Sequence, residues 1–161
     1  MTKSVRPVVT LEDESNHDEH FWQHRTKGAT LNTWRGLAFE RLCLWHVPQI
    51  KTALGISGVL TEVYAWRHVP DDVRPWGVQI DLLLDRADRV INVCEMKYVS
   101  DEYVIDAEAE KSLIRKCETF SAVTKTKCAV HLTLVTVSGV FKNTHSGIVQ
   151  SEVTLDDLFR P

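Results

Sequence analysis

The stretch from Gly77 to Lys97, GVQIDLLLDRADRVINVCEMK, constrains this chain more than any other. Two apolar runs rich in branched side chains, Val78–Leu84 and Val90–Met96, flank the charged segment DRADR. That pattern predicts two strands around a surface turn. With the turn centred on Asp88, antiparallel pairing sets position 81 opposite 95 and position 79 opposite 97. Side chains alternate faces along a strand, so Gln79, Asp81, Glu95 and Lys97 are expected together on one face. Leu83, Ile91 and Val93 continue that face, and Ile80, Leu82, Leu84, Cys94 and Met96 take the other. Two carboxylates and an ammonium at one end of an apolar hairpin are costly to desolvate unless something pairs them. A divalent cation would do so.

The chain has 161 residues, 43% of them hydrophobic, which is enough for one domain with a real core. It contains no run of about 18 apolar residues of the kind that spans a membrane. The first residues, MTKSVRPVV, lack the apolar centre of a secretory signal. Cys43, Cys94, Cys117 and Cys128 are widely spaced with no CxxC, so reduced thiols and a cytoplasmic location are expected, with neither disulfides nor zinc. The net charge of −3 sits wholly in residues 1–24, which hold two basic and five acidic side chains. The remainder is balanced at 17 of each sign, unlike the strongly basic surface of a tight, non-specific nucleic-acid binder. A local basic patch remains compatible with that balance.

Residues 1–27 are polar, acidic and without period, and read as a flexible lead or linker. His17, His20 and His24 in it read as solvent-exposed rather than as a metal site. The domain is expected over 28–161. Thr33–His46 predicts a helix with Thr33 as cap and Trp34, Leu37, Ala38, Leu42 and Trp45 as its buried stripe. Gly36 within it implies close packing, and Glu40 lies at the stripe's edge. Pro48 ends that helix and opens a short second one. Gly58–Arg67 alternates as a first strand. After the hairpin, a second long helix is expected over Asp106–Val123, with Ile105, Ala109, Leu113, Cys117 and Phe120 inward. Lys111, Arg115, Lys116, Lys125 and Lys127 make its later part basic. Ala129–Val137 reads as a buried strand of a parallel or mixed sheet, Gly147–Val153 as a last strand, and Thr154 as the cap of a short final helix. The expected fold class is α/β, an αβββαβ core with a mixed central sheet flanked by helices.

The spacing D-x13-E-x-K, with a glutamate on a preceding helix, suits metal-assisted hydrolysis of a phosphodiester. Carboxylates hold Mg²⁺ through oxygen, the ion activates phosphate and water, and a neighbouring lysine orients or deprotonates that water or offsets developing charge. The pattern alone is weak. Hairpin, register, Glu40 and the basic helix strengthen it together.

This assembly resembles the PD-(D/E)XK nuclease superfamily, with its restriction-endonuclease-like fold. Over roughly residues 20–160 it looks like the C-terminal nuclease-like domain of bacterial AAA-type ATPases of the archaeal-ATPase group. The resemblance rests on LNTWRGLAFERLCLWH, GVQIDLLLDRADRVINVCEMKYVS, HLTLVTVSGV and GIVQSEVTLDDLF. It implies a catalytic set of Asp81, Glu95, Lys97, Glu40 and Gln79. Mg²⁺ or Mn²⁺ would be held by Asp81, Glu95, Glu40 and the backbone carbonyl of Met96. Arg35, Arg115 and Lys116 are the expected phosphate contacts. DNA is the expected substrate, with RNA as the other candidate; a symmetric dimer would suit cleavage of two strands. An ATPase domain in cis or trans is an expected partner, yet the chain has no GxxxxGK[ST] loop, so ATP hydrolysis does not carry over. Ile80 stands where the superfamily often has proline. If the chain is part of a longer protein, the acidic lead is expected to be linker. The competing reading is a non-catalytic module of the same fold that binds nucleic acid or a protein partner.

Overall fold

The computed structural model describes residues 29–160. The acidic lead and its histidines lie outside the described residues. The chain divides after Trp34, and the unit from Arg35 onward holds the sheet. Helix α1 (Ala29–Trp45) runs across that division into a short α2 (Val47–Ala53), with Pro48 in the first turn of α2 where its missing N–H costs nothing. Strands β1 (Thr61–His68), β2 (Val78–Arg86) and β3 (Val90–Lys97) follow, then α3 (Ala107–Thr124), β4 (Ala129–Thr136) and β5 (Ser151–Thr154). One five-stranded sheet results, in the order β1-β2-β3-β4-β5. β1, β2 and β3 are antiparallel; β4 runs parallel to β3 and β5 parallel to β4. The fold is α/β with a mixed sheet flanked by helices.

Apolar side chains divide between the two sheet faces. On one, Leu82, Leu84, Cys94, Met96, Val135 and Val153 pack with Phe39 and Cys43 of α1 and Ile50 of α2. On the other, Val78, Ile80, Leu83, Ile91 and Val93 pack with Phe120 of α3, and Leu132 and Leu134 with Leu113. α3 begins where expected because the Asp106 carboxylate accepts hydrogen bonds from the N–H groups of Glu108 and Ala109, at 3.1 and 2.8 Å, satisfying two otherwise orphaned donors. All four cysteines are free thiols. Among the described residues no helix is long and apolar enough to cross a membrane.

Two expectations are corrected. The buried face of α1 is Phe39 and Cys43, one turn apart, whereas Trp34, Leu37 and Trp45 are 64%, 60% and 73% exposed. Helical spacing alone allows either stripe, and the choice between them belongs to the sheet. Gly36 has no heavy atom within 4 Å of where a Cβ would stand, so close packing is not its reason.

The second correction concerns β2. Tyr64 pairs with Leu83 and Trp66 with Ile80, so two residues, Asp81 and Leu82, oppose Ala65 alone. This is a β-bulge. Alternation slips there: Ile80 joins the α3-side cluster with Leu83, while Leu82 and Leu84 join the α1-side cluster. Gln79 and Asp81 therefore do not share a face with Leu83.

Candidate active site

The expected hairpin register is present. β2 and β3 pair as Leu82↔Cys94, Leu83↔Val93, Leu84↔Asn92 and Asp85↔Ile91, symmetric about Asp88. The ladder stops at Leu82↔Cys94. Beyond it, β2 stays paired with β1 through Ile80, Gln79 and Val78, and β3 with β4 through Glu95, Met96 and Lys97. The expected pairings 81↔95 and 79↔97 are thus replaced by a fork in the sheet, and the candidate residues sit on its two prongs.

On the β2 prong, Gln79 donates from Nε2 to Oδ1 of Asp81 at 2.6 Å, which orients the carboxylate. The bulge is what re-aims Asp81, a common use of bulges beside functional sites. On the β3 prong, Glu95 follows Ile91 and Val93 on the α3 side. Its Oε1 accepts from Lys97 Nζ at 2.9 Å and its Oε2 from Lys116 Nζ of α3 at 2.5 Å. Glu40 comes from α1, directly after buried Phe39 and three residues before buried Cys43, which keeps it half-buried at the helix rim.

Electrostatics tie the three elements together. Burial raises the Glu40 carboxyl above its usual range, and the charges of Asp81 and Glu95 raise it further, while Lys97 and Lys116 oppose them. Burial also pushes Glu95 upward, but the Lys116 and Lys97 ammoniums outweigh it and hold Glu95 below the ordinary carboxylate range. Burial works against the charge of Lys97, yet Glu95 more than compensates and raises it. Lys97 is therefore held as an ammonium, suited to stabilising negative charge and unsuited to taking a proton at neutral pH. Three carboxylates and two ammoniums leave the cluster one negative charge.

A polar groove of about 310 Å³ opens beside Glu95 and Lys97, walled by Tyr103 and by Asp106, Ala109 and Ser112 at the start of α3. The segment after β3, read from the sequence as a plain polar connection, is pinned there. Tyr103 N–H donates to the Gly139 carbonyl at 2.8 Å, and Phe141 N–H to the Tyr103 carbonyl at 3.0 Å.

Gln79 and Asp81 thus stand on one prong and Glu95 and Lys97 on the other, not on the single face expected of them, and Glu40 of α1 is within reach of the charges of Asp81, Glu95 and Lys97. Met96 lies between Glu95 and Lys97 with its side chain in the α1-side core. Lys116 is not the outward phosphate contact expected of it, because its ammonium is bonded to Glu95. The signal was in the sequence: Leu113, Lys116, Cys117 and Phe120 follow helical spacing on the buried stripe of α3. Arg115, one residue away, is exposed with its guanidinium 5.8 Å from the Trp76 ring centroid. Arg35 is half-buried on α1. Neither arginine is among the charges acting most strongly on Glu40 or Glu95.

In kind, the donor set suits a hard divalent cation, being carboxylate oxygens with an excess of negative charge. In arrangement it is not a ready-made cage. Among the described residues no three His, Cys, Asp or Glu side chains are grouped closely enough to hold an ion. Comparison of the chain with protein-family models, curated protein sequences and solved structures finds no match in any of the three.

Proposed function

We propose that this protein hydrolyses nucleic-acid phosphodiesters, DNA in the first instance, with Mg²⁺ or Mn²⁺ as cofactor. One observation carries the reading: Gln79 and Asp81 on β2 and Glu95 and Lys97 on β3 stand on the two prongs of the fork where the β2–β3 ladder ends, and Glu40 of α1 feels the charges of Asp81, Glu95 and Lys97. The polar groove beside Glu95 and Lys97 offers room for substrate, which a purely structural ion pair does not need. Asp81, Glu95 and Glu40, with the Met96 carbonyl, would hold the ion, which supplies Lewis acidity to phosphate and water when bound. Gln79 keeps Asp81 turned to the site. Lys97 presents a fixed positive charge to the negative charge that builds on phosphorus. Arg115, exposed on α3, would meet backbone phosphate.

A second reading, a non-catalytic binding module, is favoured by the lysine pair on Glu95, which already neutralises that carboxylate. Calorimetric titration with Mn²⁺ separates the two, run on wild type, Asp81→Ala and Glu95→Ala with circular dichroism as the check on folding. The nuclease reading expects binding by wild type, none by the folded variants, and Mg²⁺-dependent cleavage of single-stranded, duplex or branched DNA that Asp81→Ala abolishes. Wild type that binds no Mn²⁺, alone or with DNA, overturns it.

A further inference from the structure

The lysine pair does more than balance charge. Lys97 reaches Glu95 along its own strand, and such a neighbour is expected wherever an E-x-K places both side chains on one strand face. Lys116 is different. It comes from α3, on the face that also buries Leu113 and Phe120, and its side chain is only 19% exposed. A lysine on a buried stripe must find a partner, and the partner is the second carboxylate oxygen of Glu95, one of the proposed ion ligands. With Lys97 on Oε1 and Lys116 on Oε2, both oxygens of Glu95 are held by ammonium groups. Lys116 also acts on Glu40 across the fork. This accounts for a carboxylate cluster of the right chemistry that is not drawn into a cage.

Resting on the nuclease reading above, we infer that Lys116 is a resident counter-ion of the site. It competes with a divalent cation for Glu95 and thereby sets how tightly the site binds that cation. With Glu95 turned to an ion, Lys116 would lose that partner and be free to face a substrate phosphate. Bound substrate would then favour ion binding, and the ion substrate binding, by the same factor. Lys116 is a positioning residue here, since it acts through Glu95.

The test is Mn²⁺ calorimetry on the full chain, comparing wild type with Lys116→Met, which keeps the unbranched apolar stem and removes the charged end, and Lys116→Arg, which keeps the charge. Thermal melts with and without Mn²⁺ run alongside. Removing a charge-assisted hydrogen bond that competes with the ion is expected to tighten Mn²⁺ binding in Lys116→Met by about tenfold or more. Lys116→Arg should stay within about threefold of wild type, the usual context-dependent spread in such effects. Apo Lys116→Met should melt lower than apo wild type, because three carboxylates then share one ammonium, and should gain more from Mn²⁺. Mn²⁺ binding by wild type with equal or weaker binding by folded Lys116→Met overturns the counter-ion role and leaves the metal site standing. No binding by any of the three overturns the site itself. If Lys116→Met does not fold, Lys116→Gln replaces it with the same expectations.

Discussion

Removing Glu95 and removing Lys116 should not cost the same, although they share one contact. Glu95 is 14% exposed, Lys116 19% and Lys97 39%. Glu95→Gln takes from Lys97 and Lys116 the one carboxylate to which both are bonded. Breaking a buried pair in that way costs about 3–5 kcal/mol, and exposure at Lys97 places this case at the low end, about 3 kcal/mol. Lys116→Met leaves Glu95 with Lys97 still bonded to its other oxygen, so the loss is nearer that of one charged hydrogen bond, about 1.5 kcal/mol. The double variant loses the shared contact once, so a double-mutant cycle should give a coupling of about 1.5 kcal/mol. Urea unfolding in a chelating buffer, followed by circular dichroism, reads these values. At a slope of about 2 kcal/mol per molar, Glu95→Gln should lower the midpoint by about 1.5 M. A cost below about 1 kcal/mol for Glu95→Gln, or a coupling under about 0.5 kcal/mol, would place the trio among solvated surface pairs and refute the reasoning.

Three further outcomes test the fold around the site. Phe120 is 1% exposed and meets the Trp66 ring edge-on at 5.2 Å, so Phe120→Ala should cost about 3–5 kcal/mol in chemical denaturation and alter the tryptophan emission; a cost under 1 kcal/mol would mean that α3 is not anchored there. Gly36 lies in α1 with open space around it, so Gly36→Ala should stabilise by up to about 1 kcal/mol in a thermal melt, and destabilisation would show a packing constraint that the structure lacks. The Asp157 carboxylate accepts from Thr154 N–H at 2.8 Å and from the Thr154 hydroxyl at 2.7 Å, with the backbone bond the larger cause of its lowered pKa. A depressed folded-state pKa contributes stability that is present above the unfolded value and lost as pH falls through the folded one. Asp157→Asn should therefore cost about 1 kcal/mol at pH 7, and its gap from wild type should close as pH falls below the ordinary carboxylate range; a gap independent of pH would refute the carboxylate's role.

Periodicity and punctuation gave most of the elements but not their ends. The first helix starts at Ala29 with Thr33 inside it. The expected strand Gly147–Val153 is a 3-10 turn over Ser146–Ile148 followed by a strand over Ser151–Thr154, so Thr154 ends that strand and the last turn begins at Asp156. The two apolar runs around DRADR determined the hairpin and its register, because a pairing slipped by one residue would turn Asp81 and Glu95 into the wrong environment. Asp106 determined the start of α3, and the near-continuous apolar run from Ala129 determined a strand buried on both faces. The residues on the two prongs of the fork, and Glu40, were legible for the same reason: charges embedded in apolar strands and at the rim of a helix need partners.

What the sequence could not determine is which of two equivalent choices long-range packing would take. Along α1, a stripe through Trp34, Leu37 and Trp45 and a stripe through Phe39 and Cys43 are both helical, and only the sheet beneath selects the second. The bulge at Asp81–Leu82 has no local signature such as glycine; it arises because β2 must stay paired with β1 while separating from β3. Lys116 was visible as a basic residue on an apolar stripe, yet its partner lies 21 residues earlier in the chain. Local chemistry supplied the charges of this site. Tertiary structure decided which of them meet, because the cost of burying a charge is settled by the atoms the fold brings beside it and not by its neighbours in sequence.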